Sequence, residues 1–385
     1  MSKNDFSPAE FAGRLTRVRE AMADADLDLL IAIHPVSIHW LTGSEAKSYQ
    51  EFQCLLISMG DEPLTALVRA GEVNELEADS TAGRVVGWGG GVAEDPVAAF
   101  ARLAAQLKLA GKRVGLEVPG YYLHPYHYLG LLDVLGRDHV VDASLLIADL
   151  KLVKSPVEIG YIRAAAQLAD RAMHEFETGL TVGASELQLA GRVYASLLAN
   201  GGGIAASPIN LVSGPRSAFS HGAPTARLLK NGDFGNVEFG ATMRRYTSTI
   251  GRQFALGSPT ARMLALYDVV RRAADAMIAT VSDGVPAALV HEAARSVIAE
   301  AGLEPYRVHL SGYGLAPGFP PSWAEPMQML DGSPYVLRTG MVITVEPPVF
   351  IGTEGLGARI IDNLVVTDSG TELLSAYPRD LIVAG

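Results

Sequence analysis

The sequence is short of the residues from which many ligand sites are built. One of its 385 residues is cysteine, Cys54, and a single thiol closes no intramolecular disulfide and supports no cysteine-based metal site. Within the apolar string Phe52-Gln53-Cys54-Leu55-Leu56-Ile57 it reads as a core residue. Apolar runs of membrane-spanning length are missing too, since the best candidate, residues 27–33, is strand-sized and broken by Asp28. Positive charge is scarce: 31 Lys and Arg face 42 Asp and Glu, a formal net charge of -11. That field disfavours nucleic acid and anionic membranes and leaves small molecules as the expected partners. Residues 1–14 carry both signs of charge and lack the basic-then-apolar order of a secretory signal, so a cytoplasmic location is expected.

Several nucleotide and nucleophile motifs are missing as well. Gly87-Trp88-Gly89-Gly90-Gly91 lacks the spacing of a dinucleotide fingerprint, no Gly-Lys-Ser/Thr follows a glycine cluster, and there is no serine elbow. His124 and His127 lie three apart among Tyr122, Tyr126 and Tyr128, a pattern that suits helix packing better than a ligand pair.

What is present describes a globular chain of two domains. Hydrophobic residues make up 49% and charged residues 19%, and the length exceeds what one ordinary core accommodates. Over residues 1–150, helical periodicity at 11–25, 96–109 and 122–135 alternates with strand-like runs at 27–33, 53–59, 63–68, 113–117 and 140–142, which predicts a small α/β domain. Ser155-Pro156-Val157-Glu158 then supplies a capping box with proline at the first helical position. It opens a helix predicted over 156–179. Further helices are expected at 185–200, 259–282 and 286–301, between strand signals at 209–212, 235–239, 246–255, 341–349, 358–367 and 372–374. Helix pairs between groups of strands predict an α+β domain over 151–385.

Ionisable groups inside apolar strands must be paired or functional. Glu238, Glu346 and Asp362 each stand in such a string, and carboxylates that share a poorly solvated site have their proton affinities pushed apart. His221 lies in a loop punctuated by Gly222 and Pro224, where an imidazole is free to move protons. Each has a plain structural alternative, a paired carboxylate or a surface histidine.

The C-terminal half resembles the creatinase/aminopeptidase P/prolidase superfamily. The strings that carry the resemblance are Lys154-Ser155-Pro156-Val157-Glu158, Ser213 through Pro224, Asn231-Gly232-Asp233, Val345-Glu346-Pro347-Pro348 and the strand through Asp362. They run in the family's order across 151–385. Residues 1–150 are similar to the smaller creatinase-like N-terminal domain in size and in Trp40-Leu41-Thr42-Gly43. The resemblance implies a pita-bread catalytic domain over 151–385, preceded by the creatinase-like domain, and a homodimer.

It also implies five metal-ligand positions, and four have changed. The first aspartate position carries Glu238, the second, eleven residues on, Thr249, and the histidine position Tyr313. Glu346 is retained, and Ile361 stands where the second glutamate belongs, beside Asp362. No bound metal or other cofactor is therefore expected. Glu238 with Arg244-Arg245-Tyr246, and Tyr313 with Phe319-Pro320-Pro321-Ser322-Trp323, look most like the ectoine hydrolases of the non-metal branch. The expected activity is metal-independent hydrolysis of a C–N bond in a small amidine, guanidino or cyclic zwitterionic compound. Glu238 would be nucleophile or base, His221 the proton shuttle, Glu346 and Asp362 substrate or water holders, and Tyr313 a donor to developing charge. Trp40, Arg244, Arg245, Thr249, Phe319 and Trp323 would line the substrate. The alternatives are a metal-dependent Xaa-Pro dipeptidase or aminopeptidase and a catalytically silent binding protein.

Overall fold

The computed structural model describes residues 3–45 and 47–385 and divides into two compact units, Met1–Lys151 and Leu152–Gly385. In the first, helix α1 (Pro8–Asp24) starts on the Ser7 hydroxyl, which accepts from the amide of Glu10, and has proline in its first turn. Then come β1 (Leu29–Ala32), α2 (Pro35–Thr42), β2 (Cys54–Ser58), β3 (Thr65–Arg69), α3 (Val73–Asp79), β4 (Arg84–Trp88), α4 (Pro96–Gln106), β5 (Val114–Leu116), α5 (Pro125–Leu135), β6 (Val140–Asp142) and α6 (Leu146–Leu150). The strands form one mixed sheet in the order β4-β3-β2-β1-β5-β6.

The central strand β1 is apolar throughout because both of its faces are covered. Its alternation sends Leu29 and Ile31 to a cluster with Phe100, Leu103, Leu131 and Leu135, and Leu30 and Ala32 to one with Val18, Met22, Trp40 and Ile147. Cys54 is a core residue, 1% exposed, and burial pushes its thiol far above the usual range. His124 caps α5, its Nδ1 accepting from the amide of Tyr126 at 3.1 Å, so the His124 and His127 pair belongs to a helix start.

In the second unit, α7 (Pro156–Gly179) carries the expected capping box and α8 (Glu186–Ala199) a second one. They are followed by β7 (Gly203–Ile204), β8 (Asn210–Ser213), β9 (Phe234–Met243), β10 (Tyr246–Leu256), α9 (Ala261–Thr280), α10 (Ala287–Glu300), β11 (Gly312–Phe319), β12 (Ser322–Met329), β13 (Val342–Val345), β14 (Val349–Ile351), β15 (Leu356–Ala358), β16 (Asp362–Thr367), β17 (Gly370–Leu373) and β18 (Ile382–Ala384). A ten-stranded sheet runs β17-β16-β13-β11-β10-β9-β7, with β12, β18 and β8 pairing onto β11, β10 and β9.

Each helix pair covers its own part of this sheet. Helices α7 and α8 pack on Val237, Phe239, Ala241, Ile250 and Phe254, whereas α9 and α10 pack on Met327, Ile343, Val345, Leu364 and Val366. The result is the two-domain fold expected from the resemblance, a creatinase/prolidase N-terminal domain followed by a pita-bread domain. Strands β4, β11 and β12 carry no strand signal in the sequence, because glycine and proline interrupt all three or their neighbours. No helix among the described residues is long and apolar enough to cross a membrane.

Candidate active site

Strand alternation builds the site. With Val237, Phe239 and Ala241 facing the helices, Asn236, Glu238 and Gly240 must face the other way. Their register partners on β10 are Gln253, Gly251 and Thr249. Asn210 of β8 pairs with Glu238 and brings its side-chain amide to Glu238 Oε2 at 3.0 Å.

Arg359, 3% exposed, meets the same carboxylate in a direct ion pair and also donates to the Ser220 carbonyl. Its guanidinium lies 5.3 Å over the Phe350 ring. Burial lowers the arginine to about 10, which still leaves it cationic at neutral pH. Glu238 is therefore held by an ion pair and an amide hydrogen bond.

A second group lies beside the first. His221 and His309 meet edge to face with ring centroids 5.3 Å apart, and His309 Nδ1 is 3.5 Å from Glu346 Oε1. Burial, then Arg359 and His309, hold His221 below the usual imidazole range. Glu346 is 3% exposed, and its Oε2 has no hydrogen-bond partner among the described residues. Burial raises it to about 8, although a hydrogen bond from Tyr313 pulls the other way. Tyr313 is itself raised by burial and by Glu346, and its hydroxyl accepts from Trp323 Nε1 at 3.0 Å. Trp323 in turn covers Gly240, where a Cβ would stand 3.0 Å from the indole. Glu238, His221, Glu346, Tyr313 and Trp323 thus lie in one connected neighbourhood, with Arg359, Asn210 and His309 added by the fold.

The remaining sequence candidates make other contacts. Asp362 is fully buried, and its oxygens accept from Arg252 at 2.9 Å and Arg379 at 2.7 Å, which makes it the centre of a structural ion cluster. Arg244 and Arg245 are the two turn residues of the β9–β10 hairpin, both with positive φ. Arg245 stacks at 4.5 Å over Phe319, itself 1% exposed. Trp40 packs inward in the first unit beneath Arg14 and Arg17, each at 5.2 Å.

The donor set does not suit two divalent metal ions. Glu238 is paired with a guanidinium. The Thr249 hydroxyl accepts from Asn363 Nδ2 at 2.9 Å. The Tyr313 hydroxyl is engaged by Trp323 and Glu346, and Ile361 offers only hydrocarbon, packed on Gly251 with its Cβ 2.9 Å from where a glycine Cβ would stand. No group of three or more His, Cys, Asp or Glu able to hold a metal occurs among the described residues.

Known proteins place this chain among peptidases. It is 30% identical over 387 residues to the probable dipeptidase PepE of Mycobacterium tuberculosis, covering 100% of this chain and 99% of that protein. An Xaa-Pro dipeptidase of Pyrococcus horikoshii is 32% identical over 237 residues, 62% of this chain and 66% of that protein. The crystal structure of dipeptidase PepE from Mycobacterium ulcerans superposes with a TM-score of 0.85 at 29% identity, covering 98% of this chain and 99% of that one. The expected amidine or guanidino hydrolase is overturned by this end-to-end similarity to dipeptidases, which also gives no support to the likeness to ectoine hydrolases. Residues 160–368 match metallopeptidase family M24 and residues 14–153 the creatinase/prolidase N-terminal domain, so the chain belongs to family M24.

Proposed function

We propose that the M24 unit is a short-peptide hydrolase of the dipeptidase class, with Xaa-Pro dipeptides as the first substrates to examine. The observation that carries the reading is a buried acid kept in an open arrangement: Glu346, with one oxygen unpartnered, beside Tyr313 and the His221–His309 pair. The relatives, dipeptidases over the full length of the chain, supply the bond type.

Hydrolysis of a peptide bond needs a group to take a proton from water, one to give a proton to the leaving amine, and donors to the carbonyl oxygen. His221, held neutral, takes the proton as water oxygen bonds to the carbonyl carbon. Glu346, mostly protonated at neutral pH, gives its proton to the nitrogen as the C–N bond breaks. Arg359 is the donor to oxygen, since the one hydroxyl proton of Tyr313 is directed at Glu346. Glu238 fixes Arg359.

The test is product analysis on a panel of Xaa-Pro and other dipeptides, run with chelator and with added manganese, cobalt or zinc. Cleavage by the wild type and its loss in Glu346→Gln are expected. Failure to cut any dipeptide under every metal condition would remove the hydrolase reading. Binding without cleavage in calorimetry would then favour a silent peptide-binding protein, which the ion-paired state of Glu238 also suits.

A further inference from the structure

We infer that this chain does not assemble the two-metal centre of its family, and that the ion pair with Arg359 keeps Glu238 from a metal. The inference rests on the peptide-hydrolase reading only for which site is meant, since metal content is read without substrate.

Charge and space lead to the same result. Two divalent ions need several anionic or imidazole donors converging on a shared centre. The five inherited positions supply two carboxylates, Glu238 and Glu346, and the first is already neutralised by Arg359 and steadied by Asn210. A metal at Glu238 would lie beside a buried guanidinium, a like-charge contact in a poorly solvated place. The second aspartate position is closed by hydrogen bonding: Asn363 Oδ1 accepts from the Thr249 amide and the Ser248 hydroxyl while its Nδ2 donates to Thr249 Oγ1. The second glutamate position is closed by volume, because the Ile361 side chain rests on Gly251, the register partner of Glu238. The histidine position presents Tyr313, whose hydroxyl links Trp323 to Glu346.

The changed positions form a consistent set around a retained arginine. Arg359 neutralises Glu238, and the Ser220 carbonyl and the Phe350 ring hold the guanidinium from other sides. Nothing in the arrangement leaves Glu238 waiting for a counter-ion.

The experiment is elemental analysis of the full chain purified without chelator, loaded in turn with excess manganese, cobalt or zinc and desalted, alongside thermal unfolding with and without each ion. Trace metal and a midpoint unmoved within about 1 °C are expected, because an ion that binds only the folded state must raise it. Two retained equivalents, or a saturable rise in midpoint, would overturn the inference. Arg359→Met leaves Glu238 without its cation and should increase manganese retention over wild type, while Arg359→Lys should not. Unchanged retention in an Arg359→Met protein with a native circular dichroism spectrum would refute the role given to Arg359. Should that variant fail to fold, wild-type metal content still decides whether the two-metal centre exists.

Discussion

Two buried carboxylates, one in each unit, show how the same side chain becomes scaffold or chemistry. Glu117, 2% exposed, lies at the end of β5 with both oxygens used. Oε2 accepts from the amides of Ile33 and His34 at 2.9 Å each, and Oε1 from the Ser37 hydroxyl at 2.6 Å, so it ties the start of α2 to the sheet. Glu346, 3% exposed, has one oxygen without a partner and an imidazole at 3.5 Å. Burial raises both carboxyls. In Glu117 three donors offset part of that penalty, and in Glu346 Tyr313 alone opposes it. Incomplete satisfaction of a buried acid is costly for folding, and it is what leaves a proton available for transfer.

Removing each carboxylate should break the comparison most visibly. Glu346→Gln is expected to lower kcat/KM on a cleavable dipeptide by about 10²–10⁴-fold without lowering the thermal midpoint. A midpoint that falls sharply would place Glu346 with the scaffold. Glu117→Ala strands two buried amides and a hydroxyl and should cost about 3–5 kcal/mol of stability. Urea unfolding followed by the fluorescence of Trp40 and Trp88 would register the loss.

Opposite pH slopes should sharpen the contrast. Burial, then the charge of Lys151, holds His34 at about 3 against an ordinary 6.5. Below 6.5 the unfolded chain takes up a proton that the folded chain refuses, so this group's contribution is lost as pH falls from 6.5 toward 3. Glu346 at about 8 keeps a proton that the unfolded chain releases near 4.5, so stability of the second unit falls as pH rises from 4.5 to 8. Glu117, also raised, adds a slope of that second sign to the first unit. Hydrogen-exchange mass spectrometry across pH reads the two units separately. Acid sensitivity confined to the second unit would contradict the assignment.

The smallest expected effect concerns a residue that the sequence pointed toward substrate. Arg245→Ala should cost about 0.5–1 kcal/mol through loss of its stacking on Phe319 and leave kcat/KM unchanged within a factor of about two, checked by steady-state assay beside thermal unfolding. A large rise in KM would return Arg245 to the substrate.

Much of the scaffold was legible beforehand because its signals are local. The Ser155 to Glu158 box placed the start of α7, and apolar periodicity placed α8, α9 and α10 to within about two residues. The site was legible only in part. Glu238, His221, Glu346, Tyr313 and Trp323 stood out as polar or aromatic residues in ordered strings, and the fold gathers them. Arg359 stands two residues before Ile361 in the same string. A buried arginine must be paired, and that was the signal available. His309 and Asn210 had none, since their partners lie distant in the chain.

The sequence by itself determined the class of the two domains, the helices with their caps, and the change of residue at four of the five positions the resemblance marks, since each depends on residue identity or on periods of two and 3.6 residues. Only the tertiary structure decided which carboxylates are spent and which is held in reserve. Asp362 goes to Arg252 and Arg379, Glu238 to Arg359, and Glu346 keeps an oxygen open. The cost of burying a charge depends on what stands within a few ångströms of it, and strand register and helix packing bring those neighbours from far along the chain.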